Sequence, residues 1–142
     1  VRDRTPLVKD ERIIAGKYIL KHQIGAGTMS EVYVADQPHL GRLVAIKLLR
    51  RDPAAMRRFD VEVQSVGSIK HDHIVTIYDS GYAEDGRPYL AMEYLDGEDL
   101  ATHLGKHGKM ASDRAMLLWR QAVSAMAAAH RHSVVHRDIK PA

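Results

Sequence analysis

Cysteine is absent from the 142 residues, and that absence removes disulfides, thiolate metal sites and cysteine nucleophiles together. A reducing compartment suits such a chain, so the cytoplasm is the expected location, with any membrane tether carried by sequence outside it. Long apolar runs are also missing. No stretch approaches the roughly 20 residues that cross a bilayer, and the opening VRDRTPLVKDER is too charged for the apolar core of a signal peptide. Long basic runs are missing as well. The net charge of +3 comes from 21 basic and 18 acidic residues spread along the chain, without the aromatic-basic interleaving that follows a phosphate backbone. Neither nucleic acid nor a membrane segment is therefore expected. Apart from the alanine-rich MAAAH, a good helix former, there is no low-complexity segment and no internal repeat.

What remains is ordinary globular material, 45% hydrophobic and 27% charged, in an amount that suits one compact domain or part of one. Residues 1–15 read as a polar, flexible lead-in. From Lys17 three β-rich runs follow, KYILKHQIG, EVYVADQ and RLVAIKLLR, separated by GAGTMS and PHLG, the pattern of an antiparallel meander. DPAAMRRFDVEVQSVGSIK then opens with Asp52 as N-cap and Pro53 in the first helical position, with Phe59, Val63, Val66 and Ile69 at helical spacing. Two further β-rich runs, HIVTIYDSGY and RPYLAMEYL, flank the Asp-Gly turn of AEDG. The first lobe, residues 16–95, is thus expected to hold five antiparallel strands and one helix. Residues 96–142 read as the start of a helical second lobe, with a short helix near 98–107 and a longer one capped by Ser112 and running to about Arg131. Met116, Trp119, Val123, Met126, Ala127 and His130 share a stripe on that second helix and are expected to supply core. The fold class is α+β.

Three places carry chemistry. GAGTMSEV, residues 25–32, sets two glycines where backbone N–H groups can approach an anion such as phosphate. Because EVYVA reads as a strand, the loop lacks the following helix of a dinucleotide or Walker-type site. In RLVAIKLLR, Lys47 stands among apolar residues on both faces of its strand. On the helix, a step of about 100° per residue from Phe59 puts Glu62 at about 300°, with Val66 at about 340° and Val63 at about 40°, inside the apolar stripe. A carboxylate there is costly unless paired, and Lys47 is the similarly placed cation, so an ion pair is expected. Last comes VVHRDIKPA, with His136, Arg137, Asp138 and Lys140. The sequence has nine histidines, but the pairs His71/His73 and His130/His132 are spaced two apart, off any common helix face, so no metal site is expected.

Taken in order, GAGTMSEV, VAIK, the core-facing Glu62 and HRDIKPA resemble the protein kinase signature. The likeness covers about residues 16–142 and is closest to the bacterial serine/threonine kinases related to eukaryotic ones. It implies a protein-kinase-like fold and ATP-dependent phosphoryl transfer to a serine or threonine hydroxyl of a protein substrate. By the resemblance, Ile24, Val32 and Ala45 cover the adenine, and the backbone of Gly25, Ala26, Gly27, Thr28, Met29 and Ser30 covers the phosphates. Lys47, held by Glu62, binds the α- and β-phosphates. Met92 is the gatekeeper, and the backbone of Glu93 and Leu95 meets the adenine edge. Asp138 accepts or orients the hydroxyl proton. Lys140 neutralises charge on the transferred phosphate and marks the serine/threonine class, while His136 is a structural hinge and Arg137 receives a phosphorylated activation loop.

Two departures from the pattern stand out. Ser30 replaces the third glycine of the loop, and the chain ends at Ala142, before the asparagine and DFG expected to hold Mg2+. The expectation is therefore a truncated domain, inactive alone, whose second long helix leaves apolar surface open to dimerisation or other self-association. The alternatives are an inactive nucleotide- or partner-binding fragment and a small-molecule phosphotransferase, the latter disfavoured by the wording of HRDIKPA.

Overall fold

The computed structural model describes residues 12–53, 56, 57, 59, 63, 66–136 and 139–141. The chain divides into two compact units, one running to Asp52 and resuming at Asp79–Tyr94, the other made of Pro53–Tyr78 and the residues from Leu95 onward.

The first unit is built on a sheet of β1 (Ile13–Ile14), β2 (Tyr18–Ala26), β3 (Ser30–Gln37), β4 (Arg42–Leu49), β5 (Ile77–Tyr82) and β6 (Pro88–Glu93), in the order β1-β2-β3-β4-β6-β5. The expected meander is β2-β3-β4. The expected count of five strands becomes six, because Ile13 and Ile14, placed in the lead-in, pair with Ile19 and Tyr18. Two residues are too few to show a period of two. What fixes them is the turn at Ala15 and Gly16, both with positive φ, and the burial of Ile14 to 1% exposure. The run HIVTIYDSGY also starts its strand late, at Ile77, since Ile74 N–H donates to the His71 carbonyl and holds residues 71–74 in a turn. Between β5 and β6 the expected Asp-Gly turn is present. Gly86 has φ +78° there, and a methyl group on it would come within 3.1 Å of Arg51, so glycine is required.

Alternation sorts the strands into two faces. Ala35, Val44, Ile46, Leu48, Tyr89 and Ala91 form one, packed with Ile14, Tyr18 and Ala83 as the core. Tyr18 and Tyr89 meet edge to face with centroids 5.8 Å apart, an arrangement aromatic quadrupoles favour. Their hydroxyls donate to one Asp79 oxygen at 2.9 and 3.3 Å, which Lys17 also reaches at 2.9 Å. Burial, then the neighbouring carboxylate, raises the Tyr18 phenol far above its ordinary range and pushes Tyr89 up to about 12. Burial alone would raise the Asp79 carboxyl, but the bonds from Lys17, Tyr18 and the Ser80 N–H together hold it below its ordinary value. At the strand ends Arg87 bridges Glu31 at 3.1 Å and Asp85 at 2.8 Å, and Arg12 adds a second contact to Asp85.

In the second unit, Pro53, Met56, Arg57, Phe59, Val63, Val66 and Gly67 are helical, and Phe59 and Ile69 are buried as their spacing predicts. Helices α1 (Leu100–His107) and α2 (Ser112–Arg131) follow. Asp99 caps α1, accepting from the Thr102 N–H at 2.7 Å and the Thr102 hydroxyl at 2.9 Å. Those two bonds lower the Asp99 carboxyl. Ser112 is not the cap of α2. The chain turns helical one residue earlier than expected, leaving extended Ala111 at the N-cap without a side-chain bond. At the other end Val134 N–H donates to the Ala129 carbonyl and Ser133 N–H to that of His130, a Schellman closure with Ser133 at φ 59°. Val134 packs there against Ala128, Ala129, Ile69 and Ile74.

The stripe of α2, expected to supply core and also to be left partly uncovered, is largely exposed. Met116 is 59%, Trp119 65% and Val123 47% accessible, and the buried residues of α2 are Ala128 and Ala129. A helix long enough to show a clear stripe need not have that stripe covered within the described residues.

Candidate functional site

The face of the sheet opposite the core carries the sequence-predicted residues of the first unit. Register puts Val32, Lys47 and Leu90 in one row across β3, β4 and β6, and Val34, Ala45 and Met92 in the next. Residues two apart share a face, so these six side chains form one surface. Val34 and Ala45 are buried, and Val32, Lys47, Leu90 and Met92 are half-buried. The surface is apolar around a single ammonium. Among the described residues Lys47 makes no ion pair, and Glu62, its expected partner, lies outside them. Val34 and Leu90 were not singled out from the sequence, although the same alternation that placed Ala45 and Lys47 together marks both.

The glycine loop joins β2 to β3 at the edge of this surface. Gly25 pairs with Val32 and Ala26 with Glu31, and Gly27 N–H donates to the Ser30 carbonyl at 2.8 Å, closing the turn over Thr28 and Met29. Ile24 falls in a register shift between Gln23 and Gly25, a bulge that re-aims its side chain, and it is 49% exposed. Neither Gly25 nor Gly27 has positive φ, and a methyl group on either would meet nothing nearer than 3.7 Å. The fold itself does not demand these glycines. Without side chains at these two positions the loop backbone can be approached closely, while the Gly27 N–H itself is spent on the turn.

Beyond Met92, Glu93 ends β6 opposite Val44, and Leu95 opens the next segment of the second unit, 61% exposed. Lys140 is exposed in that same unit. Arg137 and Asp138 lie outside the described residues. The Pro141 carbonyl accepts from the Ala101 N–H in the first turn of α1 at 3.2 Å, so a helix N-terminus anchors the segment that follows Asp138.

The model of the protein kinase domain matches residues 18–142. The chain is 44% identical over 132 residues to the serine/threonine-protein kinase PrkC of Bacillus subtilis, covering 90% of this chain and 20% of that protein. It is 38% identical over 136 residues to PknB of Mycobacterium tuberculosis, covering 91% and 22%. Among solved structures, the kinase domain of Mycobacterium tuberculosis PknI superimposes with a TM-score of 0.81 at 27% identity, over 96% of this chain and 56% of that one. The chain spans about a fifth of the length of the curated relatives it matches, and it belongs to the protein kinase domain family.

Proposed function

We propose that the protein transfers phosphate from ATP to serine or threonine hydroxyls of protein substrates, and that this chain supplies its nucleotide-binding face. The observation that carries the reading is one cation, Lys47, in an apolar surface of three strands beside a glycine hairpin whose glycines the fold does not require. Ile24, Val32, Val34, Ala45 and Met92 exclude water around a purine, and the backbone of Glu93 and Leu95 offers its edge hydrogen bonds. The backbone from Gly25 to Ser30 covers the phosphates and the Lys47 ammonium meets them, a task that suits a compact point charge on a long stem. Glu62 holds Lys47 in place. Asp138 takes or orients the proton of the attacking hydroxyl, and Lys140 offsets charge on the transferring group.

Mg2+ bridges phosphates in this family. The two rows around Lys47 contain no carboxylate, so these residues do not fit the ion and no step is routed through it. In this reading the strand lobe runs to residue 95, with Ile13 and Ile14 in its first strand, and 96–142 begin the second lobe. Among the described residues no helix is long and apolar enough to cross a membrane. We place the protein in the cytoplasm, with the exposed face of α2 available for self-association.

Kinase assays on the full-length protein test the reading. Asp138→Asn should lower kcat by about 10²- to 10⁴-fold with little change in nucleotide affinity. Lys47→Met should weaken both, and phosphoamino-acid analysis should show phosphoserine or phosphothreonine. Wild-type turnover by Lys47→Met would sink the assignment of the site, and phosphotyrosine as the main product would sink the substrate class.

A further inference from the structure

Helix α1 carries His103 and His107 one turn apart, with Glu98 just before the helix. Oε1 of Glu98 lies 2.9 Å from His103 Nδ1 and 3.9 Å from His107 Nε2. One donor atom from each residue lies within 4.8 Å of the other two, and the imidazole centroids are 4.6 Å apart. Ligands held at zinc bond lengths near 2.0–2.1 Å and tetrahedral angles stand roughly 3.3 Å from each other. Opening the Glu98–His103 separation and closing the Glu98–His107 one by about half an ångström each, with the two imidazole donors drawn together from within 4.8 Å, makes room for an ion through side-chain rotation.

Lys106 supports that geometry. It donates to the second Glu98 oxygen, Oε2, at 2.6 Å, which turns Oε1 toward both imidazoles, as outer partners of metal ligands commonly do. Exposure allows entry, because the His107 side chain is 62% accessible and that of Glu98 30%. The other histidine pair close in space differs. His71 Nε2 is bonded to the Ser124 hydroxyl and its Nδ1 accepts from the His73 N–H, so both ring nitrogens are engaged.

We propose that Glu98, His103 and His107 bind a divalent transition-metal ion of the zinc class through one oxygen and two nitrogens, with water completing the tetrahedron. The ion takes the place of the proton shared by Glu98 and His103. It ties the segment before α1 to the second turn of that helix, whose first turn holds the Pro141 carbonyl.

The test uses metal-free full-length protein titrated with zinc sulfate by calorimetry and with cobalt(II) by visible absorption. Wild type should bind one more zinc ion per chain than the His103→Ala/His107→Ala double variant, with a tetrahedral cobalt spectrum that the double variant lacks. Affinity for that ion should fall about tenfold or more in His107→Ala and in Glu98→Gln. His107 and Glu98 are largely at the surface, so these single variants give the answer even if the double variant unfolds, with far-UV circular dichroism as the check. Equal zinc stoichiometry and affinity in wild type and His107→Ala, or unchanged affinity in Glu98→Gln, would overturn the proposal.

Discussion

In the strand unit, Tyr18, Ile46 and Leu48 are 1%, 0% and 0% exposed, whereas in the helical unit Met116 and Trp119 are 59% and 65% exposed. The large side chains of the first unit close on one another across a sheet whose register sets their faces. In the second, Phe59 and Ile69 are buried, but the large side chains of α2 lie along one open side while its buried positions go to alanines. A sheet with a period of two fixes which face is inside as soon as its neighbours pair. A helix shows a stripe but needs a partner before that stripe is core. Apolar side chains therefore contribute stability across the sheet and open surface along α2.

Truncation should separate the two most widely. Leu48→Ala removes a fully buried side chain and is expected to cost about 2–5 kcal/mol, while Trp119→Ala, on an open face, should change stability by no more than about 0.5 kcal/mol. Urea denaturation of both variants measures the contrast. A loss at Trp119 as large as that at Leu48 would show that α2 is covered in solution and would break the comparison.

A smaller effect lies in the polar cluster of the strand unit. Asp79→Asn exchanges an ionised acceptor for a neutral one beside Lys17, Tyr18 and Tyr89 and should cost about 1–3 kcal/mol. The sign with pH follows from the shift. Because the folded-state carboxyl is lowered, the stability it contributes is fully present above the ordinary value of 3.8 and is lost as pH falls below it. Tyr89 acts at the other end. Its phenol is raised from 10.0 to about 12, so its contribution is full below 10.0 and disappears as pH rises from there toward the folded value. Stability curves of wild type and Asp79→Asn should therefore converge in acid. Parallel curves down to pH about 2 would remove Asp79 as the cause.

Much of this was legible in the chain, and the reasons differ by element. Alternation in RLVAIKLLR put Lys47 and Ala45 on one face, and the structure has both opposite the core with Val32 and Met92 alongside. The residues GAGTMS announced the turn between β2 and β3. The strand at Ile13–Ile14 was hidden because pairing across a turn, not periodicity, defines it. The cap of α2 was misplaced by one residue because serine is a good N-cap by type, while the backbone dihedrals at Ala111 decide where the helix begins. The Glu98 cluster was hidden because only His103 and His107, four apart, share a helix face, while Glu98 precedes the helix and no periodicity links it to them.

The glycine loop gives a prediction in which stability and binding separate. Gly27→Ala meets no close contact and needs no special φ, so stability should hold or rise slightly, since alanine loses less chain entropy on folding. Under the proposed function, in which the loop backbone covers phosphate, nucleotide affinity should fall roughly tenfold, about 1.4 kcal/mol. Thermal unfolding with and without ATP analogue reads both quantities. Reduced stability without nucleotide, with affinity intact, would turn the loop into a structural hairpin and remove it from the site.

The smallest expected effect probes the end of α2, where the helical unit makes one of its well-defined closures. Ser133 holds φ 59° at the position after the C-cap, with Val134 N–H reaching back to the Ala129 carbonyl and the Val134 side chain packed on Ala128, Ala129, Ile69 and Ile74. A residue with a Cβ is strained there by about 1–2 kcal/mol. Glycine relieves that strain but adds freedom to the unfolded chain, which returns part of the gain. Ser133→Gly should therefore stabilise by about 0.5–1 kcal/mol. Ala15, at φ 51° in the turn between β1 and β2, offers the matching change in the strand unit, and Ala15→Gly should gain a similar amount. A shift of the urea midpoint upward at constant m in both variants is the expected result. A gain at Ala15 with none at Ser133 would mean that the closure of α2 is already frayed in solution, making the helical unit looser at its buried end as well as along its exposed face.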